Sequence, residues 1–173
     1  SVKQEHLIYK WEIDSGLETG FLPLLEQKIR QLHLPKTVKN LEKSNLPRLL
    51  PPFMLKCTGD ESCPDGIEAQ IISKHNSNHY LQISAPNRAR FLYRLANIKI
   101  DDNKGILSDK ETAKIFDEGK GEKGREKVDS FIRWLCNQNS YRIESEDIKS
   151  HLFQKVRSHG WKLCIQAEDV EIA

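Results

Sequence analysis

Residues 53–85 read FMLKCTGDESCPDGIEAQIISKHNSNHYLQISA, and the fold class turns on how this stretch divides. Three segments within it, Phe53 to Thr58, Gly66 to Lys74 and His79 to Ala85, are strand-like pieces. Asn76-Ser77-Asn78 between the last two favours a tight reversal. Together the three read as an antiparallel meander.

Upstream, Leu7 to Ile13 alternates in the same way and supplies a further strand, followed by the turn Asp14-Ser15-Gly16. Ser15 and Glu18 make a capping-box pair ahead of the helical stripe Leu24, Leu25, Ile29, Leu32, which ends before Pro35. From Pro35 to Pro52 prolines punctuate a short helical segment, Lys36 to Lys43, and an extended connection. Downstream the period changes to that of a helix. Helices are expected over Arg88 to Ala96, over Asp109 to Glu118 behind the Ser108/Glu111 capping box, over Arg125 to Asn137, and over Glu146 to Ser158 ending at Gly160. Gly119 to Gly124 has three glycines and no apolar residue and reads as a mobile loop, and Trp161 to Ala167 returns as a last strand. The expected fold is a single α+β domain over residues 1–173: a small, mainly antiparallel sheet with strands near residues 7, 53, 66, 79 and 161, packed against an N-terminal helix and a helical C-terminal half.

Composition excludes some classes of function. With 38% apolar and 30% charged residues in a chain of 173, a hydrophobic core is expected and disorder is not. Charges and prolines break every apolar run, Leu46 to Leu55 included, so no membrane span is expected, and Ser1 to Trp11 lacks the pattern of a signal peptide. Cys57, Cys63, Cys136 and Cys164 are scattered as free thiols would be, which points to an intracellular, cytoplasmic or nuclear, setting. The 27 basic and 25 acidic residues are interleaved, so their net charge of +2 creates no field over the whole molecule, and binding must be argued locally.

Four local patterns bear on chemistry. The first is Cys57-x5-Cys63-x11-His75-x3-His79, whose two thiolates and two imidazoles could complete a tetrahedral zinc shell. Its order is similar to a two-Cys, two-His finger, but five residues separate the cysteines where fingers have two to four, so a buried strand cysteine, a loop thiol and two hairpin histidines is the preferred reading. The second overlaps it: Asp60 and Asp65 precede a strand bearing Glu68, Gln70 and Lys74. Over some fifteen residues this resembles, in part, the PD-(D/E)XK metal-dependent nucleases, in which an aspartate before a strand and an acidic residue on it would hold Mg²⁺ beside a phosphate. Asp65 stands only three residues before Glu68, and Gln70 occupies the usual lysine position. A solvated loop and strand face is therefore preferred.

The third pattern is basic with an interleaved aromatic: Arg88, Arg90, Tyr93, Arg94 and Lys99, with Arg125 and Lys127 farther along. Arg90 and Arg94 share a helix face at i and i+4, from which they could contact phosphates, and Tyr93 could stack a base if it stood clear of the core. The fourth is the order helix 125 to 137, extended Tyr141 to Ile143, helix 146 to 158, Gly160 and strand, which suits a winged-helix module with Lys155, Arg157 and His159 exposed, although a plain helical pair closing the core is the preferred reading. No nucleophile elbow, phosphate-loop glycine motif or H-E-x-x-H is present. The leading expectation is a nucleic-acid-associated binding domain that holds the phosphate backbone through the basic helix. The alternatives are a protein-interaction module, with or without structural zinc, and a Mg²⁺-dependent nuclease.

Overall fold

The computed structural model describes residues 46–117 and 124–173, which belong to the compact unit Leu46–Ala173. The strand expected at Leu7 to Ile13, the N-terminal helix, the Lys36 to Lys43 segment and most of the glycine loop lie outside the described residues.

The meander forms as its alternation requires. Strand β1 (Phe53–Thr58) pairs antiparallel with β2 (Glu68–Ser73), Phe53 opposite Ser73 and Thr58 opposite Glu68, and β2 pairs antiparallel with β3 (Asn76–Ile83). Phe53, Leu55, Cys57, Ala69, Ile71, Leu81 and Ile83 all point to one buried face, the consequence of period-two alternation in paired strands. The reversal falls one step earlier than expected. Lys74 and His75 form the turn, while Asn76 already pairs with Ser73 across a register shift, so Asn-Ser-Asn opens the strand. Two side-chain bonds adapt it: Asn76 Oδ1 accepts the Asn78 N–H at 3.0 Å, and Asn76 Nδ2 contacts His79 Nε2 at 3.2 Å.

Helix α1 (Pro86–Asp101) lies across this sheet. Pro86 occupies its first turn, where a missing N–H costs nothing. Its buried residues, Ala89, Phe91, Leu92, Tyr93, Leu95 and Ala96, sweep about 200° of the helix circumference at 100° per residue. A stripe that wide serves two layers, and α1 packs against β1 and β2 on one side and against a second sheet on the other.

That second sheet corrects the expectation of one sheet and of a helix over 146 to 158. Short strand β4 (Leu107–Ser108) leads into α2 (Asp109–Asp117), whose capping box is present: Ser108 Oγ–H donates to Glu111 Oε2 at 2.6 Å and the Glu111 N–H donates to Ser108 Oγ at 3.2 Å. Helix α3 (Gly124–Cys136) follows. Its first residue must be small, because a Cβ on Gly124 would stand 2.9 Å from the Ala113 backbone nitrogen of α2. The extended piece at 141–143 bridges Arg142 to Arg48, with the Leu49 N–H donating to Arg142 O at 2.9 Å. Between that piece and Phe153, Ser145–Asp147 and a π-turn, Ile148–Leu152, are helical. Chain 153–156 is strand β5 (Phe153–Val156), turning at Arg157 to His159 into β6 (Gly160–Leu163). The order β4-β6-β5 is antiparallel throughout. Strand pairing wins here because Phe153 thereby enters an aromatic cluster around Phe91, with ring centroids 5.4 Å apart, beside Phe116, Phe131 and Trp161. Strand β7 (Val170–Ile172), absent from the sequence reading, runs parallel to β1 and closes the order β3-β2-β1-β7. The described residues are thus α+β with two mainly antiparallel sheets, and no helix among them is long and apolar enough to cross a membrane.

Candidate nucleic-acid interface

The zinc pattern does not come together: among the described residues no group of three or more His, Cys, Asp or Glu side chains is placed to hold a metal ion. Cys57 is fully buried in β1, and burial pushes its thiol up to about 12, the opposite of what a thiolate ligand needs. Cys63 is exposed in the loop before a short 3-10 turn. His75 Nε2 lies 2.9 Å from Pro51 O, while the His79 ring packs on Tyr141 with centroids 5.0 Å apart. The acidic pattern is also dispersed. Asp60 accepts the Ser62 N–H at 3.0 Å, and these local bonds hold its carboxyl below the usual range. Asp65 sits in the 3-10 turn; Glu68 and Gln70 are tied to Gln82, at 3.1 and 2.7 Å. Lys74, at the far end of β2, grips Asp169 at 2.8 and 2.9 Å. The site residues of a metal-dependent nuclease are therefore not assembled.

Helix α1 scatters its cations instead of presenting them together. Two positions apart on a helix is about 200°, so Arg88 and Arg90 face opposite ways. The Arg88 guanidinium lies 4.6 Å from the Trp134 ring centroid and 5.8 Å from that of Phe131, a cation–π seat in which burial lowers its affinity for its proton. Arg90 Nε is buried without a partner among the described residues. Arg94 pairs with Glu61 at 2.9 Å. Tyr93 is only 8% exposed, so its ring cannot stack a base. Arg125 and Lys127 are exposed at the start of α3.

Lys99 belongs to a different arrangement, built by the hairpin. In β5 and β6 the residues alternate: Phe153, Trp161 and Leu163 face the core, and Gln154 and Lys162 form a cross-strand pair on the opposite face. The end of α1 and the loop after it run along that outer face. Between them lies a cleft of about 570 Å³, with Lys99, Lys104 and Lys162 on its walls, Asn103 and Gln154 beside them, and Ile106 among its apolar residues. No carboxylate lines it among the described residues. The nearest acids in sequence are turned to other work or to solvent: Asp102 Oδ1 accepts the Lys104 N–H at 3.0 Å, and Asp101 is exposed. Lys99 Nζ is held by Asn103 O at 3.1 Å, and Lys104 and Lys162 make no ion pair among the described residues. At the cleft's end burial raises the Cys164 thiol, with Lys162 and Lys99 opposing the shift.

The sequence reading found Lys99 but missed Lys104 and Lys162. The alternation of Trp161-Lys162-Leu163 held the signal for the latter, since a lysine between two core residues of a strand must face outward. Nothing in the chain's order announces that 99, 104 and 162 converge. No family model matches this chain, and no curated protein or solved structure matches it significantly.

Proposed function

We propose that this chain is a nucleic-acid-binding domain that holds the phosphate backbone in the cleft between the end of α1 and the β5–β6 hairpin. The observation that carries this reading is the convergence of Lys99, Lys104 and Lys162 on a cleft that no carboxylate lines among the described residues. Lysines that satisfy no acid gain most from replacing counterions on a polyanion, and flanking Asn103 and Gln154 supply neutral hydrogen bonds to phosphate oxygens. The order of elements supports the same reading. Helix α1, strand β4, helices α2 and α3, and then the β5–β6 hairpin whose second strand pairs with β4, follow the order of a winged-helix module. In that arrangement Arg157 and His159, exposed at the hairpin tip, form the wing.

The test is fluorescence anisotropy of labelled duplex and single-stranded oligonucleotides at low salt, comparing the wild type with K99A/K104A/K162A and with R94A. Removing three phosphate contacts is expected to weaken binding by roughly tenfold or more, whereas R94A, whose guanidinium is engaged by Glu61, stays within about twofold. Equal affinities for wild type and triple variant would reject the cleft as the binding surface.

A further inference from the structure

A second cleft, of about 420 Å³, opens beside the same hairpin, and its lining differs in kind. Arg125 from the start of α3, Lys149 from the π-turn and Lys155 from β5 converge there, with Trp161 of β6 among the lining residues. Trp161 is 3% exposed, and its buried indole N–H has no acceptor among the described residues. Lys155 Nζ lies 5.4 Å from the Trp161 ring centroid and pairs with Asp109. Asp129 is the carboxylate among the described lining residues. The arginine and the two lysines offer donors only, and their charge of three exceeds that of Asp129, or of Asp129 and Asp109 together.

We propose that this cleft is a binding site for a phosphate monoester, with Arg125, Lys149 and Lys155 donating to its oxygens and the Trp161 indole beside them as the reporter of occupancy. The tetrahedral group suits donors that arrive from three separate elements, and an arginine can engage two of its oxygens at once. Two sources share this chemistry, the terminal phosphate of a nucleic-acid strand and a small phosphorylated compound. Gln154 lines both clefts, but the cations of this site are not those of the Lys99 cleft, so the two can be tested apart.

The experiment uses the full chain labelled with ¹⁵N, in which three tryptophans give three indole N–H resonances, that of Trp161 being assigned with W161F. Should W161F fail to fold, R125A and K149A, both altering exposed side chains, identify the Trp161 signal by the loss of its response. Inorganic phosphate is added at constant ionic strength against chloride. The expected result is a saturable movement of the Trp161 resonance alone, weakened about tenfold in K149A and retained in K99A/K104A/K162A. An oligonucleotide with a 5′-phosphate is then compared with the same strand ending in a hydroxyl. A response to the phosphorylated strand and not to the hydroxyl strand assigns a strand end as the ligand; a response to inorganic phosphate alone assigns a small phosphate compound. A Trp161 resonance that moves with neither, or that moves equally with chloride, overturns the proposal. Loss of anisotropy binding in the triple variant with the Trp161 response intact, or the reverse, separates the fates of the two clefts.

Discussion

Replacing Gly160 by alanine tests the hairpin on which both clefts are built. Gly160 has φ +143°, and a Cβ there would stand 2.0 Å from Leu107 O, 2.8 Å from Leu107 C and 2.9 Å from Ser108 Cα. All three atoms are backbone of β4, so no rotamer change relieves the contact. Holding an alanine at that φ costs about 1–3 kcal/mol. Parting β4 from β6 to admit the methyl group sacrifices the pairing of Leu107 with Trp161 and of Ser108 with Gly160, at about 1 kcal/mol for each net hydrogen bond lost. The two effects together give about 3–5 kcal/mol. Urea unfolding followed by circular dichroism reads this directly: with a slope of about 2 kcal/mol per molar urea, the midpoint should fall by about 2 M with the slope unchanged. Had residues 146–158 been a helix with Gly160 just past its end, alanine would cost about 1 kcal/mol or less. A midpoint shift below about 0.5 M would therefore refute the β4–β6–β5 sheet.

Phe91, fully buried with Phe116, Phe131, Phe153 and Trp161 around it at centroid distances of 5.4 to 6.3 Å, should lose about 3–5 kcal/mol of stability on change to alanine, measured by the same unfolding assay. Glu111 accepts bonds from Ser108 that hold its carboxyl below the usual range, so its contribution is present above the unfolded value near ~4.3 and is lost as pH falls through the folded one. E111A should accordingly cost about 1 kcal/mol at pH 7 and progressively less in acid; a cost independent of pH contradicts the assignment. A thiol reagent at pH 8 should modify exposed Cys63 first and reach Cys57, whose thiol burial pushes up to about 12, only on global unfolding, as mass mapping of the labelled peptides would report.

What was legible in the sequence were the features carried by near neighbours. Strand β1 falls at Phe53–Thr58 as its alternation implies, and the Ser108/Glu111 spacing marks a real capping box, because both patterns are closed within a few residues. The segment from Glu146 to Val156 shows where such patterns fail. Ile148, Leu152 and Val156 repeat at helical spacing and Phe153-Gln-Lys-Val156 shows no strict alternation, so the choice is made by β6 and by the rings around Phe91, both remote in the chain. Strand β7 is three residues long, too short for any period to show. The spread of cations on α1 has a simpler reason: Arg88 and Arg90 are two residues apart, and helix geometry alone sends them to opposite sides. The lysines of the cleft could not be grouped from sequence, since Lys99, Lys104 and Lys162 come from a helix end, a loop and a strand.

The central claim is that three lysines on one cleft, none in an ion pair among the described residues, meet a phosphate backbone, and its most direct measure is the salt dependence of binding. Each phosphate neutralised contributes about 0.9 to the slope of log affinity against log salt on duplex and about 0.7 on single strands. Between the wild type and K99A/K104A/K162A the slope should become shallower by about 2 to 3, with the same change on unrelated sequences. A triple variant that binds more weakly at a single salt concentration but keeps the wild-type slope would mean that these lysines do not touch phosphates, and would contradict the account.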